Sequence, residues 1–261
     1  MRGVAIIVLA WASAARAAPA DEPICTDRPG KSSSTCTVPK GYWQIESSVA
    51  DWSLVKSDGT RATSLAIGGT AIKYGVSDSM HVEVAGTPYV RGRERSDDGR
   101  STASGMGDVT VKVKHRLTAA VAALSAALVP FVKLPTASKR LGNGKVEAGL
   151  VVPVSWSIGG TPWSLSSSPE IDLIADGDGG GYHVAGAGTL SLGITASDQL
   201  SLAVELWSGR DWDEDTTRQA SLGTNVAYKI TSNVQIDGQA DFGLTRDSAD
   251  IELSGGVSMR F

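Results

Sequence analysis

The chain has 261 residues, with 24 Lys and Arg against 28 Asp and Glu, a formal net charge of −4. No basic patch or stripe breaks this mildly acidic balance, which excludes a nucleic-acid-binding role. Past the first residues no run approaches the roughly 18 consecutive apolar residues of a membrane helix, so a membrane location requires a closed barrel of strands.

The chain opens with Arg2, a short apolar stretch from Val4 to Trp11, and small residues ending in Ala15-Arg16-Ala17. This is the layout of a secretory signal peptide over residues 1–17, with cleavage as late as residue 20 as the alternative. Residues 18–41 follow as a separate segment ahead of any strand. They contain both cysteines, Cys25 and Cys36, and Glu22-Pro23-Ile24 is not a lipid-attachment context. In an oxidising compartment the two thiols are expected to close a small loop, with two unrelated thiols as the alternative. Two thiols fill only half of a tetrahedral shell and no His lies nearby, so no metal is expected there. The segment is rich in Ser, Thr and Pro. It reads either as a small plug, with Asp27 and Arg28 pairing to charges inside a barrel, or as an unstructured leader.

From residue 42 to 261 the sequence reads as strands. Leu200, Leu202, Val204 and Leu206 alternate with Ser201, Ala203, Glu205 and Trp207, and the same period of two recurs at 234–242 and 250–261. Such alternation marks a strand that is apolar on one face only. About twelve segments result, at 42–54, 62–74, 79–91, 107–116, 121–133, 145–158, 162–174, 181–195, 199–208, 217–230, 233–244 and 250–261, most of them long enough for a tilted membrane strand. Short connections alternate with longer polar ones, among them Gly92 to Gly105, Pro135 to Gly144 and Gly209 to Thr216, as in outer-membrane barrels. An even strand number puts both ends of the barrel chain in the periplasm. Two segments are ambiguous. Leu65 and Ile67 differ in parity from Ile72 and Tyr74, which calls for a bulge near Gly68-Gly69. Val121 to Leu134 is apolar on both faces and contains Pro130, leaving a helix as the rival reading. The aromatic residues, including Trp43, Tyr74, Trp156, Trp163, Trp207, Tyr228 and Phe261, fall mostly near strand ends, where interfacial girdles form.

The polar parity would line a lumen with Glu46, His81, Glu83, Lys112, Lys114, Arg116, Glu147, Glu170, Asp172, Glu205, Lys229, Asp237, Asp241, Glu252 and Arg260. A barrel of this size stands between the filled eight-stranded barrels and the open porins, so the charges either border a narrow pore or pair and fill the interior. Catalysis is not expected: His81, His115 and His183 are the only imidazoles, and no G-x-S-x-G motif accompanies them. Asp176 and Asp178 in a Gly-rich stretch lack the further ligands of a calcium loop and read as a hairpin tip. Arg91, Arg93, Arg95 and Arg100 stand with Glu94, Asp97 and Asp98. They read as a solvated outer loop of mixed charge, with lipopolysaccharide phosphates or anionic solutes as the alternative partners.

Several stretches resemble one family, the outer-membrane transporters named for the meta-cleavage pathway of phenol degradation. They are Thr26-Asp27-Arg28-Pro29, Val38-Pro39-Lys40-Gly41 leading to Gln44-Ile45-Glu46, Gly107-Asp108, Phe131 to Thr136, Leu141-Gly142-Asn143 and Phe242 to Thr245. The terminal Phe261 also resembles the signal read by the barrel-assembly machinery. The resemblance implies a barrel that moves small, aromatic or otherwise hydrophobic compounds. The cysteine pair is not part of the family pattern. The resulting expectation is an all-β, transmembrane antiparallel up-and-down barrel of about twelve strands, exported to the cell outer membrane, without cofactor, and passively conducting small molecules. Its partners would be outer-membrane lipids, lipopolysaccharide, the assembly machinery and a small solute. A structural or adhesive barrel and a membrane lipase are the alternatives.

Overall fold

The computed structural model describes residues 23–57, 59–119, 122–177, 180–212 and 217–261; the expected signal peptide and Asp178 lie outside them. Twelve antiparallel strands form a closed barrel. They are β1 (Trp43–Ser57), β2 (Thr60–Ile67 and Thr70–Ser77), β3 (Met80–Gly86 and Tyr89–Ser96) and β4 (Gly99–Gly105 and Val109–Arg116). Then come β5 (Leu124–Leu134), β6 (Glu147–Val151 and Val154–Ser157), β7 (Trp163–Ser167 and Glu170–Ala175) and β8 (Tyr182–Thr195). The last four are β9 (Leu200–Asp211), β10 (Arg218–Thr231), β11 (Val234–Gly243) and β12 (Ile251–Arg260). Closure is made by β1 against β12, in register from Gln44 opposite Arg260 to Leu54 opposite Ile251.

The barrel is apolar outside and polar within. Lys73 is 2% exposed, whereas its neighbour Ile72 is 45% exposed. Similarly Glu205 is buried while Val204 and Leu206 stand exposed on either side. A water-soluble protein would show the reverse arrangement; lipid around the barrel favours the outward apolar face. Aromatic residues ring the periplasmic end, where Trp43 and Tyr74 pack with ring centroids 4.7 Å apart and Trp156, Trp163, Tyr228 and Phe261 are also exposed. Trp207 is an exception to the girdle reading: it faces the lumen, because it shares the parity of Glu205.

The bulge expected in β2 is present. The strand breaks at Gly68-Gly69, with Gly68 at φ +72°, and β1 shifts register between Ser48 and Ala50 beside it. The segment with two readings is a strand and not a helix. Within Leu124–Leu134, residues 124–126 and 129–133 pair with β6, while the ladder to β4 skips the positions around Pro130, which has no N–H to donate. The expectation of a long loop over Gly92 to Gly105 is overturned. Ser96 pairs with Gly99, so only Asp97-Asp98 turn the chain, and β3 and β4 continue outward as a hairpin. Gly92 and Gly105 are polar-loop residues by composition, yet cross-strand pairing along Arg91 to Ser96 satisfies the backbone.

Because the outward face of β9 contacts lipid, Val204→Arg should destabilise the barrel by about 2–4 kcal/mol if Val204 lies near the bilayer midplane. The corresponding check is reversible urea unfolding in lipid vesicles, with Ser201→Thr on the inward face as a near-neutral comparison.

Candidate functional site: the occupied lumen

Residues 23–41 enter the barrel from the periplasmic end, rise to its middle and return. On entry the Ile24 N–H donates to Ser232 O at 2.8 Å, and on exit the Gly41 N–H donates to Gly75 O at 2.8 Å. Gly75 is required at the exit, since a Cβ there would overlap the Pro39 carbonyl. Cys25 and Cys36 are disulfide-bonded, so the intervening residues form a closed ring inside the lumen, and the reading as unrelated thiols does not hold.

The ring is bonded to nearly all sides of the wall. On the β1–β4 side, Asp27 Oδ2 lies 2.6 Å from Lys73 Nζ and Asp27 Oδ1 lies 2.5 Å from Lys114 Nζ. Lys73 also meets Glu46 at 2.5 Å and Glu83 at 3.7 Å, and Lys112 reaches Glu83 at 3.4 Å. Three carboxylates and three ammonium groups thus balance one another. Removing Asp27 from this set would leave two buried lysines competing for the wall carboxylates. On the β11–β12 side, Arg28 Nη2 pairs with Asp237 at 3.0 Å, and Lys31 Nζ with Glu252. Lys31 also sits 4.7 Å above the Trp207 ring. Across the lumen, Glu205 accepts the Lys31 N–H at 2.7 Å, the Ser32 N–H at 3.1 Å and the Ser32 hydroxyl. The Gly30 N–H donates to Gln239 at 3.0 Å, Ser33 N–H to Ser168 at 3.1 Å, and Thr35 meets Ser125 at 2.7 Å. The Val38 N–H donates to His81 Nδ1 at 3.1 Å, which fixes the neutral imidazole with its proton on Nε2.

All the charged residues expected in the lumen lie on the inward parity. The ring touches Glu46, Lys114, Glu205, Asp237 and Glu252 directly, and Val38 beyond it reaches His81. Arg260 Nη1 lies 3.5 Å from Pro23 O at the entry. Asp241 accepts from Gln239 at 2.5 Å, just outward of the ring. Five of the expected residues are brought nowhere near it. Arg116 Nη2 donates to Asp78 O at the periplasmic turn, Glu147 pairs with Lys133 at 2.7 Å near the outer mouth, and Glu170 and Asp172 stand on the outer half of β7. Lys229 lies opposite Gln235 near the periplasmic end. Lys73, Gln44, Gln235 and Gln239 were missed by counting charges along clean alternations. Lys73 was findable, since inverting parity across the Gly68-Gly69 bulge turns it inward. His183 rests between Asp176 and Asp211, 2.7 Å from each, and His115 is exposed on the lipid-facing parity. Among the described residues no cluster of His, Cys, Asp and Glu is arranged to hold a metal.

A family model covering residues 26–261 matches the chain, and its description is "Putative MetA-pathway of phenol degradation". The chain belongs to that family. No curated protein matches it in sequence. Among solved structures it is similar to an outer-membrane channel from Pseudomonas putida F1, at 17% identity and a TM-score of 0.71, over 90% of this chain and 99% of that one. It is also similar to the translocator domain of the autotransporter NalP from Neisseria meningitidis, at 12% identity and a TM-score of 0.56, over 86% and 90% of the two chains. Both likenesses are likenesses of fold, and they place the chain among outer-membrane barrels.

Burial raises the Asp27 carboxyl, but the Lys114 and Lys73 ammonium groups outweigh it and hold Asp27 well below the usual carboxylate range. A carboxylate depressed in this way stabilises the seated ring fully above its ordinary value of about 4, and loses that contribution only as pH falls through the lower folded value. Protection of the Gly30 to Ser33 backbone N–H groups against hydrogen exchange should therefore persist from neutral pH down to about 4. Asp27→Asn should remove that protection at neutral pH. The loss is bounded by about 3–5 kcal/mol for a fully buried pair, less here because 22% of the Asp27 side chain remains exposed.

Proposed function

We propose that this outer-membrane barrel passively conducts small molecules, aromatic or otherwise hydrophobic compounds among them, and that residues 18–41 act as the plug that restricts its lumen. The supporting observation is the pair of polar cavities on either side of the ring. The outer one, about 330 Å³, is bordered by Gly30, Lys31, Asp51, Asp241 and Glu252. The inner one, about 380 Å³, is bordered by Ser32 to Thr35 and by wall hydroxyls including Ser155, Ser164, Ser166, Ser191 and Ser201. Arg28 and Pro29 border both. Each cavity falls at the small end of the range for ligand sites, roughly 300–1,000 Å³. The tip at Gly30 to Ser32, bonded to Glu205 and Gln239, separates them. A Cβ on Gly30 would stand 2.9 Å from the Asn225 amide, so the tip has no room to thicken.

Passage then requires the tip to leave Glu205 and Gln239, while the disulfide ring keeps its own shape. No catalysis or energy coupling enters this reading. The family description supports the choice of cargo. Export through a cleaved signal at residues 1–17, and recognition of Phe261 by the assembly machinery, complete the proposal.

Single-channel recording in planar bilayers tests it. The native protein should show brief, infrequent openings, and Glu205→Ala should raise the open fraction by about tenfold or more, since three hydrogen bonds to a charged acceptor are lost. A folded barrel that stays silent with residues 26–36 deleted would sink the conduction reading.

A further inference from the structure

The outer ends of β1–β4 extend past the lipid-facing belt as two hairpins, and their register sets which side chains look outward. Ser64, Gly92, Glu94, Ser101 and Ala103 share the parity that borders an inner cavity, which Thr63 and Arg93 of the other parity also reach; the remaining positions of that other parity face away from the lumen. Those positions carry one row of cations: Lys56 opposite Arg61, Arg61 opposite Arg95, and Arg95 opposite Arg100. Arg93 and Arg91 follow on the same parity at two-residue steps below Arg95, and beneath them stand Ile67 and Tyr89, 44% and 38% exposed. Arg61, Arg93, Arg95 and Arg100 are exposed, and Arg91 is half-buried.

Like charges directly opposite one another in a sheet are unfavourable. No described carboxylate forms an ion pair with Lys56, Arg61, Arg91, Arg93, Arg95 or Arg100. Glu94 faces the other way, and Asp97 and Asp98 occupy the turn. The row is thus a concentration of positive charge on one face of the wall. It also lies on the lipid side of the wall, directly above the apolar belt.

We propose that this outward row binds the phosphate groups of a phosphorylated glycolipid headgroup in the outer leaflet. Directly opposed side chains start about 5 Å apart, close enough for two guanidinium forks to share one phosphate. Successive steps down β3 are about 7 Å apart, which presents Arg93 and Arg91 to a second phosphate nearer the acyl chains. A lipid standing beside the barrel meets both the arginines and the apolar belt, whereas a dissolved anion meets only the arginines. The inference rests on outer-membrane placement and is independent of conduction, so a silent barrel leaves it intact.

The test uses the purified full-length protein in detergent, with bound lipid counted by native mass spectrometry. The probes are a bis-phosphorylated lipid A, its dephosphorylated form and phosphatidylglycerol. The bis-phosphorylated probe should bind at least about tenfold more tightly than either of the others, through charge-assisted bidentate contacts. Combined Arg61→Gln, Arg95→Gln and Arg100→Gln should abolish that preference, and Lys40→Gln at the periplasmic end should not. Equal binding of the dephosphorylated form or of phosphatidylglycerol overturns the assignment, as does undiminished binding by a folded triple variant. Should the triple variant not fold, the three probes on the native protein decide the question alone.

Discussion

Satisfying backbone hydrogen bonds without water is the constraint on which everything else here depends. In a bilayer each unpaired N–H or C=O costs several kcal/mol, on the order of the price of a lost buried hydrogen bond, and a sheet escapes this only by closing on itself. The β1–β12 ladder supplies the closure. Once the wall is closed, period-two alternation assigns every second side chain to lipid and the rest to the interior. Polar residues are therefore collected inside, not scattered.

Such a collection has its own electrostatic demand. Lys73 and Lys114 lie within a wall where few waters reach, and a buried ammonium needs a carboxylate close by. Glu46 and Glu83 meet part of that need, and Asp27 from residues 23–41 meets the remainder. The inserted ring is in this sense part of the interior charge balance as well as an obstruction. Its other contacts are hydrogen bonds from backbone N–H groups of Gly30, Lys31, Ser32 and Ser33 to side chains on opposite walls. A short disulfide-closed ring presents these donors outward because it is too small to bond them internally.

The breaks in the wall follow the same logic. Gly68-Gly69 in β2 and the interruptions before Tyr89 and Val109 divide β2, β3 and β4 into inner and outer parts. The outer parts carry outward arginines and inward small residues such as Ala62, Gly92 and Ala103. The inner parts carry outward aliphatics and inward charges. Chemistry on the two faces thus changes with height, as the surroundings change from acyl chains to headgroups.

By itself the sequence determined the closed antiparallel barrel, its approximate strand limits, and the inward set from Glu46 to Arg260, because parity along an unbroken strand is a local property. The bulge at Gly68-Gly69 was legible for the same reason, although its consequence for Lys73 was not followed. The course of residues 23–41 through the lumen, the pairing of Asp27 with two lysines from different strands, and the placement of Trp207 under Lys31 were decided only by tertiary structure. These contacts join residues far apart in the chain, and no local pattern encodes which wall position a loop will meet. The hairpin over Gly92 to Gly105 belongs with them: its polar, glycine-rich composition reads as a loop, and only pairing with β2 makes it strand.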